Sequence, residues 1–306
     1  MKNAYLAICY ICNENCLFCP CSKAEKSENM VTDYIEIKKS VDLLAENGIT
    51  DITISGGEPT LHPNLPLIVR YIQEKGISVT LLSNGERFCD NKYVKTFVNL
   101  VNIHNIKIIT TLHSNIYTEH ERANQTNGSF FRTLNGLLNL EKQGIRVIIK
   151  HCITKQNYKD LVSFYQFCDT TFPSTVDVQL CSIDYCGISK EELQSNFLPF
   201  TEIRPYLEEL FDYHSLLEAQ GGSRKLYCIN IPLCACDVYY WNYMPKRRKK
   251  MYDAYKHPKD KEILNVSDNV GIDKAVCRDC KVKNICNGTY FTSFEAFGDK
   301  VVKPFS

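Results

Sequence analysis

The sequence has almost no net charge, no long apolar run, no internal repeat and no low-complexity linker. Lysine and arginine total 36 against 35 aspartate and glutamate, so the charge balance draws the chain neither to a polyanion nor to an anionic bilayer. Nucleic acid and membrane are therefore expected not to be partners. The longest apolar stretches are strand-sized, far short of the roughly 20 residues that span a bilayer. Ala4 to Cys12 has the length of a signal-peptide core, but Cys9 and Cys12 interrupt it and a charged, Asn-rich continuation offers no small-residue cleavage site. It reads as a first strand. With 306 residues, 44% of them hydrophobic, the chain can bury the core of one large domain, or of a barrel with a smaller appendage.

Cysteine, by contrast, is abundant. Sixteen cysteines are spread through a full-sized chain, which favours metal ligation in a reducing cytoplasm over a disulfide framework. Cys9, Cys89 and Cys168 lie in apolar or helical contexts and read as small core side chains. Apolar periodicity predicts strands at Tyr5 to Ile11, Asp51 to Ser55, Ile77 to Ser83, Lys107 to His113, Arg146 to Ile153 and Asp177 to Ser182. Helices are predicted between them, at Asp33 to Asn47, Leu65 to Lys75, Asn91 to Asn99, Phe130 to Gln143 and Tyr158 to Phe167. Such alternation implies an α/β fold with a parallel sheet and right-handed crossovers. Val147 and Ile149 take the helix-facing phase of their strand, which turns Lys150 and Cys152 the other way, as it does Gln179, Cys181, Thr111 and His113 in neighbouring strands. Polar residues in that phase near strand C-termini suggest a site. After about residue 200 the rhythm stops, so one domain is expected over 1–195 and a second, cysteine-bearing one over 196–306. The basic run Lys246 to Lys250, beside Tyr239, Tyr240, Trp241 and Tyr243, reads as a solvated helix face, although an acidic peptide or nucleic acid would also suit it.

Cys12, Cys16 and Cys19 place three thiols in eight residues directly after the first strand. Thiolates are soft ligands for zinc or iron–sulfur clusters, and three ligands on a four-iron cube leave one iron open. A structural zinc site recruiting Cys21 is the competing reading, though zinc loops more often use paired two-residue spacings. The second strand ends in Ser55, Gly56, Gly57, Glu58, Pro59 and Thr60, where two glycines allow close backbone approach. Together, the C-x3-C-x2-C spacing, Phe18 before the third cysteine and the Gly-Gly-Glu segment resemble the radical S-adenosylmethionine superfamily. That resemblance implies a partial (β/α)6 TIM-like barrel over residues 5 to about 182. It also implies a [4Fe-4S] cluster on Cys12, Cys16 and Cys19, with S-adenosylmethionine bound at its open iron and cleaved to methionine and a 5′-deoxyadenosyl radical. By the same resemblance, Phe18, Gly56, Gly57, Glu58, Ser83, Asn84, His113 and Ser114 contact the cofactor. The segment Ile153, Thr154, Lys155, Gln156, Asn157 resembles a strand-to-helix junction of the superfamily's peptide-modifying branch.

A second thiol set, Cys277, Cys280 and Cys286, lies near the C-terminus, with Cys234 as a candidate fourth member. It resembles the SPASM or twitch auxiliary-cluster extension, and the lack of a cysteine three residues beyond Cys286 implies one auxiliary [4Fe-4S] cluster rather than two. Cys228 or Cys236 could replace Cys234, one iron could stay open to substrate, or the set could be a structural zinc knuckle. The resemblance points to maturation of a ribosomally made precursor peptide by crosslinking, thioether formation or epimerisation. Lys150, Cys152 and Cys181 are the candidate catalytic groups, the two thiols as hydrogen donors. Only eleven residues precede Cys12, so a separate leader-recognition protein is expected, together with an external electron donor of the flavodoxin or ferredoxin type. The alternatives are a radical enzyme acting on a small molecule or nucleotide, and a non-catalytic iron–sulfur sensor or electron carrier.

Overall fold

Asp33 starts the first helix as its cap, its carboxylate accepting from the Ile35 N–H at 2.8 Å. That helix, α1 (Tyr34–Glu46), buries Ile37, Val41 and Leu44 at helical spacing. The computed structural model describes residues 2–19, 30–186, 196–244, 252–257, 260–265, 269–273 and 275–305. Cys21 and Lys246 to Lys250 lie outside them. The chain divides into two compact units, the first made of Met1–Leu112, Tyr117–Ile149 and Met251–Ser267, the second of His113–Ile116, Lys150–Lys250 and Asp268–Ser306.

In the first unit β1 (Asn3–Cys9), β2 (Asp51–Gly56), β3 (Ser78–Ser83) and β4 (Ile106–Thr111) alternate with α1, α2 (Leu65–Glu74) and α3 (Asn91–Leu100). These strands are parallel, in the order β4-β3-β2-β1, with Ala4 opposite Ile52, Ile52 opposite Val79 and Leu81 opposite Ile108. Helices α4 (Tyr117–Asn124) and α5 (Ser129–Lys142) follow, and β5 (Arg146–Cys152) carries the chain from the first unit into the second. The second unit holds α6 (Leu161–Thr171), β6 (Asp177–Cys181), α7 (Phe200–Ala219) and β7 (Leu226–Ile229), with β6 and β7 parallel. Beyond them, β8 (Ala254–Lys256) pairs with β1 in the first unit, and β9 (Val270–Gly271) and β10 (Thr289–Tyr290) form an antiparallel pair before α8 (Phe291–Phe297). No described helix is long and apolar enough to cross a membrane.

The α/β alternation is the one the periodicity predicts, with corrections at its edges. The first strand ends at Cys9 rather than Ile11, because the Tyr10 N–H leaves the β2 ladder and donates to the Met30 carbonyl at 2.8 Å. The fourth strand stops at Thr111, two residues short of His113. The helix expected from Tyr158 begins at Leu161, since the Asn157 and Tyr158 N–H groups are spent on a turn closed by the Thr154 carbonyl. Cys89 is half-buried rather than a core thiol, whereas Cys9 and Cys168 are fully buried. Helix α4 has no apolar stripe to betray it: the two residues it buries are His120 and Asn124.

His120 carries a pH prediction. Burial holds its imidazole at about 4, below the roughly 6.5 expected in the unfolded chain. On acidification the unfolded state therefore takes up the proton first. The stability associated with the neutral ring is complete above about pH 6.5 and is lost as the pH falls toward 4, amounting to about 2 kcal/mol by pH 5. Urea unfolding at pH 7 and pH 5 is expected to show this drop in the wild type and a smaller one in His120→Gln. Equal drops would refute the assignment.

Candidate active site

The cysteine loop leaves β1 still attached to β2. The Gly57 N–H donates to the Cys9 carbonyl and the Glu58 N–H to the Ile11 carbonyl, both at 2.7 Å. The two glycines make this approach possible. A Cβ on Gly56 would lie 2.0 Å from the Cys9 carbonyl oxygen, and one on Gly57 would lie 2.2 Å from that of Ile11. Gly56 also has φ 123°, a conformation open to glycine. The close approach these residues permit is thus in the first place to the cysteine loop's own backbone. Gly56→Ala is expected to cost about 3 kcal/mol, from strain and overlap together. A urea midpoint unchanged from wild type would contradict this.

Glu58 is almost fully enclosed, and burial pushes its carboxyl pKa up. Its oxygens are nonetheless well supplied with donors. One accepts from the Thr60 N–H at 2.9 Å, the Thr60 hydroxyl at 2.7 Å and the Ser83 hydroxyl at 2.8 Å; the other accepts from the Asn84 N–H at 2.7 Å. The carboxylate therefore ties the end of β2 to the end of β3, joining three predicted site residues. Asn84 reaches the cysteine loop as well, its side-chain amide donating to Asn13 at 2.8 Å.

Within the loop, Phe18 is half-buried in a turn, the Cys19 N–H donates to the Cys16 carbonyl at 3.3 Å, and the Glu14 N–H points at the Cys12 sulfur at 3.4 Å. Burial is the main cause that pushes the Cys16 thiol up, and charge on Glu14, Cys19 and Cys12 adds to it. Glu14 was not anticipated from the sequence. It is buried, accepts from the Cys16 thiol at 3.3 Å, and has its carboxyl raised to about 8 chiefly by burial. Its one sequence signal is a charged residue inside the cysteine motif. Thiols crowded in this way ionise together when a cation neutralises them. Three such thiols in one loop fit a cluster with an open corner.

The other predicted residues belong to the second unit. Asn157 binds the carbonyls of His113 at 3.2 Å and Cys152 at 3.0 Å through its amide, while its side-chain oxygen caps the Thr154 N–H at 2.7 Å. The Ser114 hydroxyl caps the Ile116 N–H at 3.0 Å. Cys152 and Cys181 are hydrogen-bonded to each other. That bond, aided by the charge of Lys150, holds Cys152 below the ordinary thiol range, and the same bond together with burial pushes Cys181 above it. The Cys181 sulfur lies 3.9 Å from the Tyr290 hydroxyl and 3.9 Å from the Asn230 amide.

Cys234, Cys277, Cys280 and Cys286 line one cavity with Pro232, Ile272 and Gly288. Burial pushes Cys234 up to about 12 and Cys277 to about 11, with the neighbouring thiols contributing. The Leu233 and Gly288 N–H groups point at the Cys286 sulfur at 3.4 and 3.3 Å. Gly288, at φ 73°, has no room for a Cβ, which would lie 1.8 Å from the Gly271 carbonyl oxygen. Of the thiols that sequence spacing leaves open, it is Cys234 that joins this set. Cys228 lies near Cys236 instead, and the Cys236 sulfur is 3.7 Å from that of Met244.

A family model described as the Radical SAM superfamily matches residues 6–168. The Fe-coproporphyrin III synthase of Methanosarcina barkeri is 29% identical over 155 residues, covering 50% of this chain and 37% of that protein. The antilisterial bacteriocin subtilosin biosynthesis protein AlbA of Bacillus subtilis is 27% identical over 157 residues, covering 51% of this chain and 34% of its own. Each match thus spans little more than a third of the relative's length. The crystal structure of Streptococcus suis SuiB bound to precursor peptide SuiA superposes with a TM-score of 0.66 at 13% identity, covering 99% of this chain and 75% of that one.

Proposed function

The chain belongs to the radical SAM superfamily, and from that premise we propose that it cleaves S-adenosylmethionine reductively and directs the resulting radical at a ribosomally made precursor peptide. The observation that carries the reading is the cysteine loop lying against Gly56 and Gly57 with the buried carboxylate of Glu58 behind them. When bound, the cluster and S-adenosylmethionine together supply a 5′-deoxyadenosyl radical that abstracts hydrogen. Cys12, Cys16 and Cys19 would hold that cluster. Gly56, Gly57, Glu58, Ser83 and Asn84 would contact the cofactor, with the Glu58 carboxylate tying Ser83 and Asn84 to the end of β2. Phe18, and in the second unit His113 and Ser114, are the remaining candidates for contact with the cofactor. Cys234, Cys277, Cys280 and Cys286 would hold one auxiliary cluster, in a C-terminal domain over 196–306 that follows the partial barrel of 1–195.

Two findings support the peptide substrate. AlbA is a bacteriocin biosynthesis protein, and the superposed SuiB structure holds a precursor peptide. A separate leader-recognition protein, a flavodoxin- or ferredoxin-type donor and a cytoplasmic location complete the proposal. Lys150, Cys152 and Cys181 are its catalytic candidates. The second reading, a small-molecule substrate, is favoured by the Fe-coproporphyrin III synthase match. Co-expression with candidate precursors followed by mass spectrometry tests the choice. A mass change in the peptide that needs intact Cys12 is the expected result. Deoxyadenosine formation stimulated by a nucleotide or porphyrin and by no peptide would overturn the peptide reading, and no deoxyadenosine at all would leave a sensor or electron carrier.

A further inference from the structure

Helix α4 ends where Gln125 turns to φ 57°, a left-handed conformation. The last carbonyls of a helix lack partners within it, and here the cysteine loop supplies them. The Leu17 N–H donates to the Ala123 carbonyl and the Asn15 N–H to that of Asn124, both at 3.0 Å. The loop's backbone is thus seated on the end of α4. The Asn124 side chain, fully buried, adds a directed contact, because its amide donates to one Glu14 oxygen at 2.8 Å while the other Glu14 oxygen faces the Cys16 sulfur at 3.3 Å. The amide is itself held from behind. Its nitrogen lies 2.9 Å from the Ser129 hydroxyl and 3.2 Å from His120 Nε2, and its oxygen accepts from Ser129 at 3.1 Å and from the Thr126 N–H at 3.2 Å.

We propose that Asn124 is a positioning residue for the cluster, fixing through Glu14 where Cys16 presents its sulfur. The proposal rests on the reading of Cys12, Cys16 and Cys19 as cluster ligands. Its physical basis is the cost of an orphaned buried carboxyl. Without the Asn124 amide, the enclosed Glu14 oxygen loses that donor, and the side chain shifts against the partners that remain, the Cys16 thiol and Glu86. Losing an outer partner that orients a ligand typically weakens metal binding by about 10- to 100-fold.

Reversing the hydrogen bond tests this. Asn124→Asp removes the donor, Glu14→Gln alone retains an acceptor for Asn124, and the double variant E14Q/N124D restores a bond running the other way. Each full-length protein is reconstituted anaerobically with iron and sulfide, challenged with a chelator, and sampled after one-electron reduction with dithionite, which makes the cluster paramagnetic. The readout is the decay of the paramagnetic-resonance signal that shifts on adding S-adenosylmethionine, with the unshifted signal and the far-ultraviolet circular dichroism as controls. Asn124→Asp is expected to lose the shifting signal about 10-fold faster, Glu14→Gln to lose it more slowly than Asn124→Asp because the bond to Asn124 survives, and the double variant to recover most of the difference. Should Asn124→Asp not fold, Glu14→Ala breaks the same bond from its other end and is expected to show the same loss. Decay in Asn124→Asp as slow as in the wild type, or a double variant no better than the single one, overturns the proposal. A wild type lacking any responsive signal instead overturns the proposed function, and the positioning role with it.

Discussion

Alanine at Cys12, Cys16 or Cys19 is expected to take deoxyadenosine formation to the no-enzyme background and to lower the iron content by about four per chain. The effect is large because a four-iron cluster held by three thiols loses a third of its protein ligands with any one of them. Among the described residues Cys9 is the nearest further cysteine in the sequence, but it is buried at the end of β1, with its thiol pushed up to about 12 by burial and donating to the Glu58 carbonyl at 3.4 Å. Iron analysis and chromatographic detection of deoxyadenosine, with dithionite as reductant, check both parts. Retention of cofactor cleavage in any of the three variants would end the cluster assignment. Cys9→Ala serves as the contrast and is expected to keep its iron.

The second large effect separates Cys234 from Cys228. Cys234→Ala removes one of four crowded thiols and is expected to abolish metal binding at the C-terminal set. Metal binding at thiolate-rich structural sites contributes on the order of 10 kcal/mol to the fold it organises, so protease sensitivity between residues 226 and 305 should rise sharply. Cys228→Ala trims a buried thiol outside that set and is expected to cost about 1–2 kcal/mol while leaving the metal in place. Metal stoichiometry and limited proteolysis of the two variants side by side decide the matter. If Cys228→Ala loses the metal and Cys234→Ala keeps it, the four-thiol assignment is wrong. Iron in the retained site supports an auxiliary cluster, and zinc supports a structural knuckle.

The parts of the site that could be read along the chain are those built from contiguous residues. The spacing of Cys12, Cys16 and Cys19 and the run Gly56 to Glu58 carry their meaning in the order of residues, since each lies in a single loop. Glu14 and Asn124 did not stand out. They are 110 positions apart, and a polar residue that will be buried looks the same in sequence as one that will face water. Helix α4 was missed for a related reason: its buried face is made of His120 and Asn124, so it shows no apolar period. The fourth thiol of the C-terminal set was ambiguous because Cys228, Cys234 and Cys236 all lie within reach along the chain, and only folding separates them.

The sequence by itself determined the α/β alternation, the superfamily and the spacing of the thiols on which the proposed cluster rests, because periodicity and short motifs are properties of neighbours along the backbone. Only the tertiary structure decided that Glu58 spends its oxygens on Thr60, Ser83 and Asn84, that Cys234 rather than Cys228 joins the second thiol set, and that the end of α4 seats the cysteine loop. Those outcomes follow from which buried polar groups find partners. Residues distant in sequence settle that question when the chain closes around them.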